Sequence, residues 1–280
     1  MIPTTLVWSW RTLAVAVTPW PAAQRVRSLA IGHALAEGAG YTPVFYGDAA
    51  ALEELDDLRW PWETRPLPQT GADRVPEAFW SGTKLVALRD ARERLPDGHA
   101  VIHCDHDAFV IGPLADLDAP LYAQNTQDLA PFERWYPDLT AAFGDDLPSW
   151  YGDFRRRNVV HECGLVGGSS RYAVGAYVDE ALRCAALLEQ RGTLKRVHTW
   201  TLEQGTHAAV AEELGARVGF ALNQDHQGTG YATWPGAAKS EIPLAKLDRY
   251  LPTVVRASLN QRFGTVASLA PPRHPLHPPA

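Results

Sequence analysis

Apolar and polar positions along this chain alternate between two periods. "TLVWSW" near the amino terminus is rich in β-branched and aromatic residues and reads as a strand. "AAQRVRSLAIGHALAEGAG" then carries Val26, Leu29, Ala30, His33 and Ala34 at helical spacing, with Gly38 and Gly40 as its stop. "YTPVFYGD" predicts a short strand closed by Gly47 and Asp48, and "AAALEELDDL" a second helix. Strand, helix, strand, helix is the opening rhythm of an α/β fold with a largely parallel sheet. The proline-rich stretch from Trp60 to Pro76 reads as a loop, and "PEAFWSGTKLVALRDARERL" as an amphipathic helix. "HAVIHC" is apolar without alternation, as expected of a strand covered by helices on both faces.

Residues 128 to 157 carry seven aromatics among mixed charges and prolines and match no regular element, so they read as an elaborated surface segment, a candidate substrate lid. "VVHECGLVGGSS" returns as a strand that turns on Gly167 and Gly168, "RYAVGAYVDEALRCAALLEQRG" and "TWTLEQGTHAAVAEELG" as helices, and "ARVGFALN" as a late strand. The expected architecture is a single domain over residues 1–270, α/β and Rossmann-like, with a mixed, mostly parallel sheet flanked by helices. The last ten residues hold five prolines and are expected to be a disordered tail, 271–280.

Composition narrows the partners. At 280 residues with 46% hydrophobic content the chain can build a substantial core. Its formal charge of −6 is scattered, so it shows no cationic footprint for a nucleic acid. Apolar stretches are broken by proline well before the ~20 residues of a membrane span. With no basic leader ahead of them, the expectation is a soluble, cytoplasmic protein. Cys104, Cys163 and Cys184 form no CxxC pair, which points to buried thiols rather than disulfides or zinc.

Charge enters "AVIHCDHDAFVIGPL" only where the apolar strand ends, at Asp105, His106 and Asp107. In open α/β sheets, ligands bind outside the carboxyl ends of strands. If extended geometry persists, Asp105 and Asp107 point to one side and His106 to the other. Two adjacent carboxylates repel unless a cation lies between them, and oxygen ligands without thiolates suit Mg²⁺ or Mn²⁺ completed by substrate phosphates. The alternative is a solvated turn at a strand end.

"GHAVIHCDHDAFVIGPL" resembles the strand and D-x-D motif of nucleotide-sugar-dependent glycosyltransferases of the GT-A fold. "FWSGTKLVALRD", with Lys84, resembles the preceding helix of such enzymes, and "HECGLVGGSS" their N-x-G-x-x-G-G segment with Glu162 in place of Asn. "LEQ" at 202–204 resembles their acidic-Gln pair, and "GYATWPGAAKS" their closing His-x-x-G-x-K segment, with Thr233 near the usual position of the histidine. The matches keep the family's order over about residues 5 to 240.

The resemblance implies a Mn²⁺- or Mg²⁺-dependent enzyme that moves a sugar from a nucleoside-diphosphate sugar to a small-molecule, peptide or glycan acceptor. Asp107 would be the principal metal ligand, Asp105 a second ligand or ribose contact, and His226 a candidate third ligand. Lys239 is a candidate diphosphate contact. Lys84 would pair with Asp105 and fix its rotamer, against the alternative of a solvated helix face. Trp8 or Trp10 would stack on the base, and Asp48 would contact base or ribose, against core and turn roles. Gly164, Gly167 and Gly168 would allow close approach of a sugar. Glu203, Glu162 and Asp225 are candidate bases, and Gln204 a support for the sugar. A nucleotidyltransferase or sugar-phosphate enzyme could use the same carboxylates, but "TLVWSWRTLAV" lacks the glycine-rich phosphate loop expected of one. An inert nucleotide- or sugar-binding protein of the same fold is a third reading.

Overall fold

β1 (Thr4–Trp10), β2 (Thr42–Gly47), β3 (Glu63–Pro66) and β4 (Ala100–Cys104) run parallel, with Val7 opposite Val44 and Leu6 opposite Ile102. These strands belong to a seven-stranded sheet of order β3-β2-β1-β4-β7-β6-β8, where β6 is Leu121–Asp128, β7 Val159–Gly168 and β8 Val218–Phe220. Only β7 runs against the rest, pairing antiparallel with β4 and β6. β5 (Ala108–Val110) and β9 (Tyr231–Thr233) form a separate antiparallel pair. The computed structural model describes residues 2–10, 22–68, 74–129, 135–222, 230–233 and 244–265.

Helices cover both faces, and alternate residues of each strand serve different cores. Leu6, Trp8 and Trp10, with Ala100, Ile102 and Cys104, pack in the cluster that holds α1 (Ala22–Gly38) and α2 (Ala49–Asp57). Val7 and Val101 pack in the other, with α3 (Gly82–Glu93), α4 (Ser149–Arg157), α5 (Arg171–Gln190) and α6 (Thr206–Glu213). Strands β1 and β4 are buried along their whole length, as their unbroken apolar runs require. The three cysteines are buried and free. No helix among the described residues is long and apolar enough to cross a membrane.

Several expectations are corrected. Part of the expected loop at 60–76 is the edge strand β3, whose residues "ETRP" carry no apolar signal because the strand buries so little. Residues 135–157 are not a surface elaboration. A short helix at Thr140–Phe143 and α4 bury Tyr136, Leu139, Phe143, Tyr151 and Phe154 in the core, where each large apolar side chain contributes about 1.5–3 kcal/mol. The expected tail 271–280 lies outside the described residues.

A helix the pattern did not announce, α7 (Thr253–Phe263), closes the described chain against α1. The fully buried guanidinium of Arg27 holds it there, pairing with Asp248 and donating to Asn260 Oδ1 and Gly264 O, both at 3.1 Å.

Four histidines are locked neutral by burial. His33 is pushed down to about 3 and His161 to about 4, and His103 and His207 lie well below their ordinary value. Unfolding frees each to bind a proton at about 6.5. Their stabilising contribution is therefore complete above that pH and is lost as pH falls toward the folded values. The melting temperature should fall steadily from pH 6.5 to 4; a flat profile over that range contradicts this account.

Candidate functional site

Charge gathers at the carboxyl edge of β4. Asp105, His106 and Asp107 do not continue the strand. They form a tight turn into β5, closed by the Ala108 N–H on Asp105 O at 3.1 Å, so the expected alternation of side chains does not apply. The turn is fastened from three sides. The Asp105 N–H donates to Gly164 O at 2.9 Å, Ser28 Oγ of α1 donates to His106 O at 2.7 Å, and His106 Nε2 donates to Ser9 O at 2.9 Å. His106 thus fastens the turn to β1. Asp107 is 6% exposed, while the Asp105 side chain is 36% exposed.

Lys84 sets the orientation of Asp105. It stands in the first turn of α3, which precedes β4 and therefore begins at the edge where β4 ends. The residue is 5% exposed, so the solvated-face alternative is excluded. Its Nζ lies 2.8 Å from Asp105 Oδ1 and 2.7 Å from Glu203 Oε1, and donates to Cys163 O at 2.9 Å. Burial alone would lower the lysine's pKa, but the Asp105 and Glu203 carboxylates outweigh it and hold the pKa above its ordinary value. Burial pushes the Glu203 carboxyl upward, with Lys84 opposing.

Glu203 is 1% exposed and committed to Lys84, which makes it a counter-charge rather than a base facing an acceptor. It sits with Gln204 in a π-helical turn, Thr201–Gly205, that joins a short helix at His198–Trp200 to α6. Such turns are frequent at functional sites. Gln204 Oε1 accepts from Tyr136 Oη at 2.5 Å. Burial and the nearby Glu162, Cys163 and Glu203 push the Tyr136 phenol up, keeping it a donor. Tyr136 carried no signal in sequence beyond being one aromatic in a stretch without periodicity.

Because β7 runs antiparallel, its first residues extend past the carboxyl end of β4 and its last lie at the opposite edge. Glu162 is therefore on the site side, where Gln124 Nε2 donates to its Oε2 at 3.0 Å and Tyr231 Oη donates to Gln124 Oε1 at 3.1 Å. Gln124 escaped the sequence reading together with the whole of β6. Gly164 is also beside Asp105, but a Cβ there would meet Gln124 Oε1 at 2.1 Å, so its smallness serves packing rather than a sugar. Gly167 and Gly168 are corrected outright. They lie within β7, opposite Ile102 and Val101, where a Cβ would strike Val101 O at 1.9 Å and Pro120 O at 2.1 Å.

The base-stacking candidates divide. Trp8 is fully buried against His33 at 4.2 Å between ring centres and cannot stack on a ligand. Trp10 ends β1 at the site edge, beside His106 and with the Arg25 guanidinium 5.5 Å from its ring centre. Asp48 ends β2 at the same edge and caps α2, its Oδ1 accepting from Ala51 N at 2.9 Å. Asp225, His226 and Lys239 lie outside the described residues. The backbone of Thr233 pairs with Ala108, next to the turn.

Among the described residues no group of three or more His, Cys, Asp or Glu is arranged to hold a metal. The donor set nevertheless fits a divalent cation that takes one or two carboxylates and completes its shell with waters and phosphate. With Glu203 set against Lys84, Asp105 and Asp107 carry two formal negative charges on one turn.

Removing Lys84 leaves buried Glu203 without a counter-ion. Lys84→Met should cost about 3–5 kcal/mol in urea unfolding, and adding Glu203→Leu should recover a large part of that. Simple additivity of the two losses contradicts the pairing.

No protein-family model matches this chain, and no curated protein sequence matches it. Among solved structures the fold is similar to the WbbM bifunctional glycosyltransferase apo structure, at TM-score 0.42 and 14% identity over 78% of this chain. That match spans 38% of the WbbM chain, so this chain corresponds to well under half of it. It is also similar to the PaToxG glycosyltransferase, at TM-score 0.40 and 12% identity, over 93% of this chain and 84% of that one.

Proposed function

We propose that this protein is a metal-dependent glycosyltransferase that uses a nucleoside-diphosphate sugar. The observation that carries the reading is the Asp105–Asp107 turn at the carboxyl edge of the sheet, with Asp105 held by a buried lysine. Asp105 and Asp107 would hold Mn²⁺ or Mg²⁺, which when bound supplies positive charge to stabilise the departing diphosphate. Asp107 is the more enclosed ligand and Asp105 the more open one, suited to meet the donor. Trp10 and Asp48, at the ends of β1 and β2, border the donor side of the same edge.

In the reaction the acceptor hydroxyl oxygen forms a bond to the anomeric carbon. The bond from that carbon to the diphosphate oxygen breaks, and its electron pair leaves with the nucleoside diphosphate. The acceptor proton passes to the Glu162 carboxylate, which Gln124 orients. Tyr136 and Gln204 stand beside it as hydrogen-bonding groups for the sugars. Lys84 and Glu203 do not touch the reacting atoms; they position Asp105.

The test is release of nucleoside diphosphate from a panel of UDP-, GDP-, TDP- and CDP-sugars with Mn²⁺. Wild type should cleave one donor class, and Asp107→Asn should lower that rate at least about 100-fold. Glu162→Gln should lower the rate of transfer by about 100-fold or more, with donor affinity retained. No cleavage of any donor by the wild type would sink the proposal.

A further inference from the structure

Three tryptophans from separate parts of the chain meet beside this site. Trp80 lies just ahead of α3 and four residues before Lys84, Trp135 adjoins Tyr136, and Trp200 lies three residues before Glu203. Trp200 is the hub. Its ring centre is 5.9 Å from that of Trp80 and 5.0 Å from that of Trp135, at interplanar angles of 77° and 64°. Both neighbours stand steeply to it, so the trio makes an angled aromatic wall rather than a flat stack. All three indoles are half-buried, so each leaves part of an apolar ring open to solvent. The Thr199 hydroxyl donates to Ala78 O at 3.4 Å, stitching the Trp200 segment to the Trp80 segment.

The surroundings of this wall define what it suits. Tyr136 and Gln204, hydrogen-bonded to one another, supply polar groups next to Trp135 and Trp200. Tyr136 also lies within the electrostatic reach of Glu162. A pyranose ring has the matching chemistry, an apolar face of C–H groups bounded by hydroxyls. Aromatic walls with a few placed polar groups are the usual construction of small-ligand sites. Among the described residues the edge carries the carboxylates of Asp105, Asp107, Glu162 and Glu203, the ammonium of Lys84 and the guanidinium of Arg25 beside Trp10, and Arg155 donates to Tyr136 O at 3.1 Å.

The geometry points to Trp80, Trp135 and Trp200 as the acceptor subsite, taking a saccharide by stacking of its apolar face. This rests on the transfer reading above and adds to it the chemical class of the acceptor. The wall lies on the flank formed by α3, Tyr136 and the π-helical turn, whereas Trp10 and Asp48 border the ends of β1 and β2. Donor and acceptor would thus approach the Asp105–Asp107 turn from different sides.

Saturation-transfer NMR with methyl glucoside, galactoside, mannoside and N-acetylglucosaminide tests this without donor or metal. Wild type should bind at least one of the four. Trp200→Ala and Trp80→Ala should each weaken that binding about tenfold, while Trp200→Phe should stay within about threefold of wild type. Trp80 is outside the main apolar cluster, so its variant guards against a loss that merely reflects unfolding at Trp200. No binding by any of the four sugars, or equal binding by the alanine variants, overturns the subsite and leaves donor cleavage standing. Tryptophan-dependent sugar binding in a protein that cleaves no nucleotide sugar upholds the subsite and rejects the transfer reading.

Discussion

The ammonium of Lys84, shared between Asp105 and Glu203, joins the fold to its site. A lysine buried to this degree is stable only while both carboxylates and the Cys163 carbonyl surround it. Each partner comes from a different element: the turn after β4, the π-helical turn before α6, and β7. The charge therefore fixes the relative placement of α3, two strands and a helix. It also restrains the one carboxylate of the turn that faces outward. If this centre is displaced, Asp105 loses its orientation and the wall containing Trp80 and Trp200 loses its anchorage, since both segments carry a member of the ion pair.

Much of this was readable in the chain, and for physical reasons. β1, β2 and β4 announce themselves because burial on both faces leaves unbroken apolar runs, and the charges at Asp105 and Asp107 stand out against such a run. For Lys84 the sequence left two roles open, a partner of Asp105 and a solvated helix face, and the structure brings Lys84 and Asp105 together. What stayed hidden depends on contacts distant in sequence. The direction of β7 puts Gly167 and Gly168 at the opposite edge from Glu162, and no local pattern encodes a strand's direction. "GLVGG" looks like a turn, but its last two glycines clear the backbone at Val101 and Pro120.

Aromatic content misled in one place and informed in another. The stretch after residue 134 lacks helical periodicity because its elements are short. Tyr136, Phe143, Tyr151 and Phe154 are nonetheless core residues. In the same stretch Trp135 reaches Trp200 and Tyr136 reaches Gln204, so one segment supplies both packing and polar groups to the site. Trp8, by contrast, had the position expected of a base-stacking residue, but strand alternation turns it into the core beneath α1.

By the proposed function, the Asp105–Asp107 turn would bind a divalent cation together with a diphosphate. Electron paramagnetic resonance of Mn²⁺ measures this directly, because the sharp signal of the aqueous ion is lost when the ion enters an asymmetric site. Added to the protein with a panel of nucleoside diphosphates, Mn²⁺ should lose its free signal in a 1:1 ratio with the protein for one of them, beyond the loss that nucleotide alone causes. That extra loss should disappear in Asp107→Asn. A free Mn²⁺ signal unchanged by the wild-type protein with every nucleotide, or the same loss in Asp107→Asn, would contradict the account.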